Sequence, residues 1–100
     1  MTPVVYISGP MTGLPELNFP AFHAQAVNLR RLGYIVINPA EKTEEGEPDM
    51  TWEDYMRLDI RAMMDCDTIF MLPNWTKSRG ARLEHKIAVE LGFTIMGALQ

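Results

Sequence analysis

Asp59 and Glu84 are carboxylates on helical faces that are otherwise apolar. At helical spacing Trp52, Tyr55, Met56, Asp59, Ala62, Met63 and Cys66 share one stripe, and Asp59 alone breaks its apolar or aromatic character. Downstream, Gly80, Ala81, Glu84, Ile87, Ala88 and Leu91 form a second stripe whose single charge is Glu84, with Arg82, Lys86 and Glu90 on the opposite, solvated side. A carboxylate in partly apolar surroundings is unfavourable unless it is paired, hydrogen-bonded or protonated. Either residue alone is accounted for by snorkelling to the rim or by bonds from a loop backbone. Two that converge can divide acid and base roles, because different surroundings push their pKa values apart.

The elements that must position them follow from the apolar runs. Val4 to Ile7, Tyr34 to Ile37, Thr68 to Leu72 and Phe93 to Met96 are short and unbroken, as expected of strands buried on both faces. Three helical segments separate them. The first starts near Asn18 as cap, with Pro20 in its first turn, and stops at Gly33. The second opens with the capping-box pair Thr51 and Asp54 and runs to about Asp65; the third starts near Ser78 or Arg79 and ends at Gly92. Strictly alternating strands and helices predict an α/β, flavodoxin- or Rossmann-like doubly wound parallel sheet of about four strands in the order 2-1-3-4. Ligands then collect at the carboxyl ends of the strands, and Asp59 and Glu84 approach the same edge if the first strand lies between the second and third.

Residues 1–100 have the length and composition of one domain, with 47% hydrophobic and 22% charged residues. A net charge of -4 without a run of Lys or Arg argues against a nucleic-acid or anionic-membrane partner, and leaves room for a small anion held locally. One cysteine, Cys66, and no signal-like start suit a reducing cytoplasm. No apolar run is long enough to span a bilayer. The acidic stretch from Glu41 to Asp49 reads as a solvated loop that can also serve as a mobile lid. His23 and His85 with one cysteine make no convincing metal-ligand set.

Tyr6-Ile7-Ser8-Gly9-Pro10-Met11, Asp59 and Ser78-x-Gly80-Ala81-x-x-Glu84 resemble the nucleoside 2-deoxyribosyltransferase superfamily, which includes 2′-deoxynucleoside 5′-phosphate N-hydrolases. The similarity is greatest to short members from phage and prophage genomes, sharing Tyr-x-Ser-Gly-Pro-Met-Thr-Gly, Asn-Pro-Ala-Glu, Leu-Pro-x-Trp and Ser-x-Gly-Ala-x-x-Glu. It covers nearly the whole chain, and order and spacing carry more weight than any single motif. The resemblance implies that Glu84 is the nucleophile at the anomeric carbon, that Asp59 assists proton transfer to the base, and that Tyr6 orients Glu84. It also implies that the loop Ser8, Gly9, Pro10, Met11 lines the sugar and phosphate pocket. Six residues before the nucleophile, transferases carry an aspartate and the nucleotide hydrolases a serine that contacts the 5′-phosphate; here the residue is Ser78. A hydroxyl at a helix amino terminus favours phosphate where a carboxylate would repel it, and the N–H groups of Arg79 and Gly80 can add donors.

Glycosidic cleavage passes through an oxocarbenium-like sugar that a carboxylate can stabilise or trap, and the departing base needs a proton. That division expects Glu84 ionised and Asp59 at least partly protonated or relayed to the base through water, with their pKa values pushed apart and no metal or cofactor. Other residues have two readings. Tyr6 can be a packed core tyrosine or part of the site, and Trp75 can stack a base or merely cover the pocket. Gly9 and Gly13 read as turn glycines, without the following Lys-Ser/Thr of a P-loop. Asn18 and Asn38 read as structural. The superfamily implies at least a homodimer, with a polar residue donated to the partner's pocket from beyond the fourth strand. Only a short tail follows that strand here, so such a donation is expected from elsewhere, such as the acidic loop, or not at all.

Overall fold

The unbroken apolar runs do pair as parallel strands, but burial on both faces holds only for the two central runs, Val4 to Ile7 and Thr68 to Leu72; at the sheet edges Ile35 and Ile95 are exposed. In a computed structural model that describes residues 2–43 and 50–100, the strands are β1 (Val4–Ser8), β2 (Ile35–Ile37), β3 (Thr68–Met71) and β4 (Thr94–Gly97). They form one sheet in the order β2-β1-β3-β4, all pairs parallel, with Tyr6 opposite Ile69 and Ser8 opposite Met71. The three long helices are α1 (Phe19–Arg31), α3 (Trp52–Met63) and α4 (Arg79–Glu90); α2 (Ala40–Thr43) is a single turn. The expected doubly wound fold and strand order are therefore present.

Alternation along β1 divides the core. Val5 and Ile7 pack with Phe22, Ala26 and Leu29 of α1 on one face. Tyr6 points the other way, into a cluster with Met63, Ile69, Met71, Ala81 and Ala88 beneath α3 and α4. Cys66 belongs to this second cluster, where burial, and then Asp65 and Asp67, push its thiol up to about 11. Such a thiol is an inert packing residue.

Helix boundaries fall close to the expected signals, with instructive differences. Thr51 Oγ1 accepts from the Asp54 N–H and Asp54 accepts from the Thr51 N–H, both at 3.1 Å, completing the capping box. Gly33 takes φ +94° just past α1, as the left-handed end of a helix requires. Asn18 precedes α1 but does not cap it. Glu16, Leu17 and Asn18 form a left-handed turn at φ 52°, 53° and 61°, whereas a capping side chain needs extended backbone. Asn18 Nδ2 instead donates to the Pro10 carbonyl at 3.0 Å, tying this turn to the loop after β1.

Gly9 also departs from the turn expectation. Its φ is not positive; a Cβ there would lie 2.7 Å from Leu72 Cβ, so the glycine is needed for close approach to the end of β3. Gly13, at φ +82°, is the turn glycine. Asn38 is structural as expected, accepting from the Ala40 N–H at 3.0 Å with its amide nitrogen 3.2 Å from His23 Nδ1. The acidic stretch begins in α2 rather than in a loop, with Glu41 paired to Arg30 at 2.8 Å. The lid expected in residues 44–49 lies outside the described residues.

Candidate active site

β1 ends at Ser8, and its period of two sends Tyr6 and Ser8 to the face covered by α4. Glu84 lies one and a half turns into α4 on the same inner stripe as Ala81 and Ala88, so its side chain meets that strand end. The Tyr6 hydroxyl donates to Glu84 Oε2 and the Ser8 hydroxyl to Oε1, each at 2.7 Å. Both oxygens of a carboxylate only 5% exposed are thus held from one strand. This answers how the acid is tolerated inside: two charge-assisted donors replace water.

A cavity of about 490 Å³ opens on Glu84, a volume typical of small-ligand sites. Its walls come from the carboxyl ends of the strands: Gly9, Pro10, Met11 and Thr12 after β1, Pro39 after β2, Lys77 and Ser78 after β3. α3 adds Trp52, Tyr55, Met56 and Asp59, and α1 adds Phe19 and Phe22. The outer half of the α3 stripe is therefore a cavity wall, while Met63 and Cys66 continue it into the core. Gly80 lets the two helices close up, since a Cβ there would stand 3.1 Å from Met56 Sδ.

Burial dominates the electrostatics. It raises Asp59 to about 6. It raises Glu84 to about 8, with help from the Asp59 charge and against the hydrogen bonds from Ser8 and Tyr6. The Tyr6 hydroxyl is also pushed well up, by burial first and then by Glu84 and Asp59, so it stays a donor. Both acids are pushed up, Glu84 by burial first and then by the Asp59 charge, Asp59 by burial, and the two titrate as a pair.

Most of the expected site residues come together here. Tyr6, Gly9, Pro10, Met11, Asp59, Ser78, Gly80 and Glu84 line one cavity. Ser8 does not line it; fully buried behind Glu84, it positions the carboxylate rather than meeting a ligand. Trp75 is not a cavity residue either. It is 9% exposed, stacks on His85 at 4.2 Å between ring centroids, and donates from Nε1 to the Ala98 carbonyl at 2.9 Å. The turn Trp75–Lys77 sends that ring toward α4 and the end of β4, so it neither stacks a base nor covers the cavity but packs in the core.

Trp52 and Tyr55 are the aromatic residues that sequence reasoning left in the core. Their signal was available: on one stripe with Asp59, any residue one or two turns before it shares its exposure to the cavity. Arg79 was noted for its backbone alone, yet its guanidinium carbon lies 3.6 Å from the centroid of the Trp52 ring. Ser78 Oγ accepts from the Ala81 N–H at 3.2 Å, capping α4 while its own O–H remains able to donate.

Among curated proteins none matches this sequence. The model of a family described as a domain of unknown function, DUF4406, matches residues 3–97, nearly the whole chain, and the chain therefore belongs to that family.

Proposed function

We propose that the protein cleaves the N-glycosidic bond of a 2′-deoxynucleoside 5′-monophosphate, with Glu84 as nucleophile. The observation that carries this reading is the double anchoring of Glu84 by Tyr6 and Ser8 at the floor of a cavity that also holds Asp59. A carboxylate that served only the fold would not need a second, partly buried acid and an open cavity beside it. The resemblance to the deoxyribosyltransferase superfamily supplies the substrate class.

In the proposed reaction a Glu84 oxygen bonds to the anomeric carbon as the C–N bond breaks. The electron pair leaves with the base nitrogen, which takes a proton from Asp59 directly or through water. Water then cleaves the glycosyl ester, or a second base accepts the sugar. Ser78 receives the 5′-phosphate, and the aromatic side chains of α3 face the base.

The charge state suits this scheme. Between about pH 6 and 8 the pair holds one proton, which is what one nucleophile and one acid require together. Positive charge developing on the sugar favours ionised Glu84, so substrate binding draws the pair's proton toward Asp59. The rate against pH is expected to be bell-shaped, with limbs near 6 and 8 that belong to the pair.

The test is incubation with a panel of 2′-deoxynucleoside 5′-monophosphates, following free base by chromatography, beside Glu84→Ala. Release that survives the substitution overturns the nucleophile assignment. A second reading, a module that binds a nucleotide without cleaving it, is favoured by the burial of Glu84, which opposes the ionised form a nucleophile needs. Tight calorimetric binding without base release would establish it.

A further inference from the structure

Where α3 and α4 begin at the cavity wall, Arg79, the first residue of α4, lies over the indole of Trp52, the first residue of α3. Both side chains line the cavity. Arg79 has no carboxylate partner among the described residues; Lys77, another cation, lines the same wall two residues earlier. In a protein of net charge -4, two cations stand at the mouth and two acids at the floor. A cation at a helix amino terminus is unfavourable for the helix itself, and the Trp52 ring is the contact that holds it there.

We propose that Arg79 is the residue by which the site distinguishes a phosphorylated nucleoside from an unphosphorylated one, and that it does so by exchanging the Trp52 ring for the phosphate. The inference rests on the nucleotide reading above and adds a residue to it. A cation–π contact at a solvent-accessible mouth is weaker than a bidentate, charge-assisted pair between guanidinium and phosphate. A phosphate beside Ser78 is next to Arg79 in the chain and within reach of its long side chain. Leaving the indole, Arg79 bares the ring face that it covered, and a base can then stack there. Phosphate recognition at α4 is thereby coupled to completion of the base wall on α3. A nucleoside without phosphate must compete with the guanidinium for the same ring face.

The chain has two tryptophans, so Trp75→Phe leaves Trp52 as the sole indole reporter without touching a cavity residue. In that background, fluorescence and calorimetric titrations compare a deoxynucleoside, its 5′-monophosphate and inorganic phosphate, for the parent, R79M and R79K. The expected result is that R79M weakens monophosphate binding by about tenfold or more while deoxynucleoside binding is unchanged or tighter. The parent's Trp52 emission should move with inorganic phosphate alone, and R79M should abolish that response. R79K, which keeps the charge but not the planar fork, should retain part of the monophosphate preference. If R79M weakens both ligands equally, or neither, the assignment of Arg79 is overturned while the nucleotide reading stands. If the parent binds neither ligand, the nucleotide reading fails and this inference falls with it.

Discussion

The two faces of the sheet are built from the same strand and do different work. On the α1 face, Val5 and Ile7 meet Phe22, Ala26 and Leu29 with no polar group among them. On the α3 and α4 face the intervening residues, Tyr6 and Ser8, hold a buried carboxylate against a cavity. The first arrangement gains stability from every contact. The second gives stability up, because ionising Glu84 inside the protein is opposed by burial and by Asp59. One face of β1 secures the fold that the other face strains, and substitutions on the two sides should therefore have opposite signatures.

The largest expected effect is at Glu84. Glu84→Gln keeps the shape and one acceptor for the hydroxyls, and should lower base release on the order of 10³-fold or more. It should also raise the melting temperature. Because the folded pKa of Glu84 is raised to about 8 from the ordinary 4.5, its proton favours folding, and that contribution is complete below about pH 4.5 and lost as pH rises to 8. The gap between Glu84→Gln and the parent should accordingly widen from pH 5 to pH 8, to an order of 10 °C, and then level off. A gap that narrows with rising pH would mean that Glu84 is not held against its charge. Across the sheet, Leu29→Ala should behave oppositely. Leu29 is 1% exposed and lies away from the cavity, so its truncation should lower stability by about 3 kcal/mol while the folded protein releases base at the parent rate.

That asymmetry also marks what could be read from the residues. Strand order and the three long helices follow from apolar runs, capping residues and glycines, each a local signal. Glu84 and Asp59 were visible as charges out of place on apolar stripes. That both pKa values are raised was not, since burial depth and the Asp59 charge on Glu84 are properties of the assembled site. Trp75 and Trp52 exchanged roles for a similar reason: an aromatic side chain after a strand points wherever a short turn sends it, and the turn Trp75–Lys77 was not signalled. Ser8 moved from ligand contact to support because its hydroxyl is taken up by Glu84, a residue 76 positions away that only the assembled fold brings to the strand end.

Tyr6→Phe sharpens the comparison by removing one oxygen from the polar face while leaving the ring in the core. The Tyr6 hydrogen bond favours the ionised form of Glu84, so its loss should raise the Glu84 pKa further. Base release at pH 7 should fall about 10- to 100-fold, as expected for one charge-assisted bond, and the deficit relative to the parent should shrink by pH 9 as the alkaline limb moves up. An equal loss at every pH would give Tyr6 a role in placing the substrate instead.

The smallest effect separates backbone from side chain at the cavity's edge. Asn18 sits at φ 61°, a region asparagine tolerates and alanine resists, and its amide donates to the Pro10 carbonyl of the loop after β1. Asn18→Gly removes the bond but relieves the backbone, whereas Asn18→Ala removes the bond and adds strain. Asn18→Ala should therefore lose about 1 kcal/mol more stability than Asn18→Gly. Both should raise KM alike with little change in kcat, because Pro10 lines the cavity and its loop is then untied from the turn before α1. Equal stability in the two variants would mean that the left-handed turn rearranges freely. Unchanged KM would mean that the Pro10 tie does not shape the cavity, and that this edge belongs with the α1 face as structure alone.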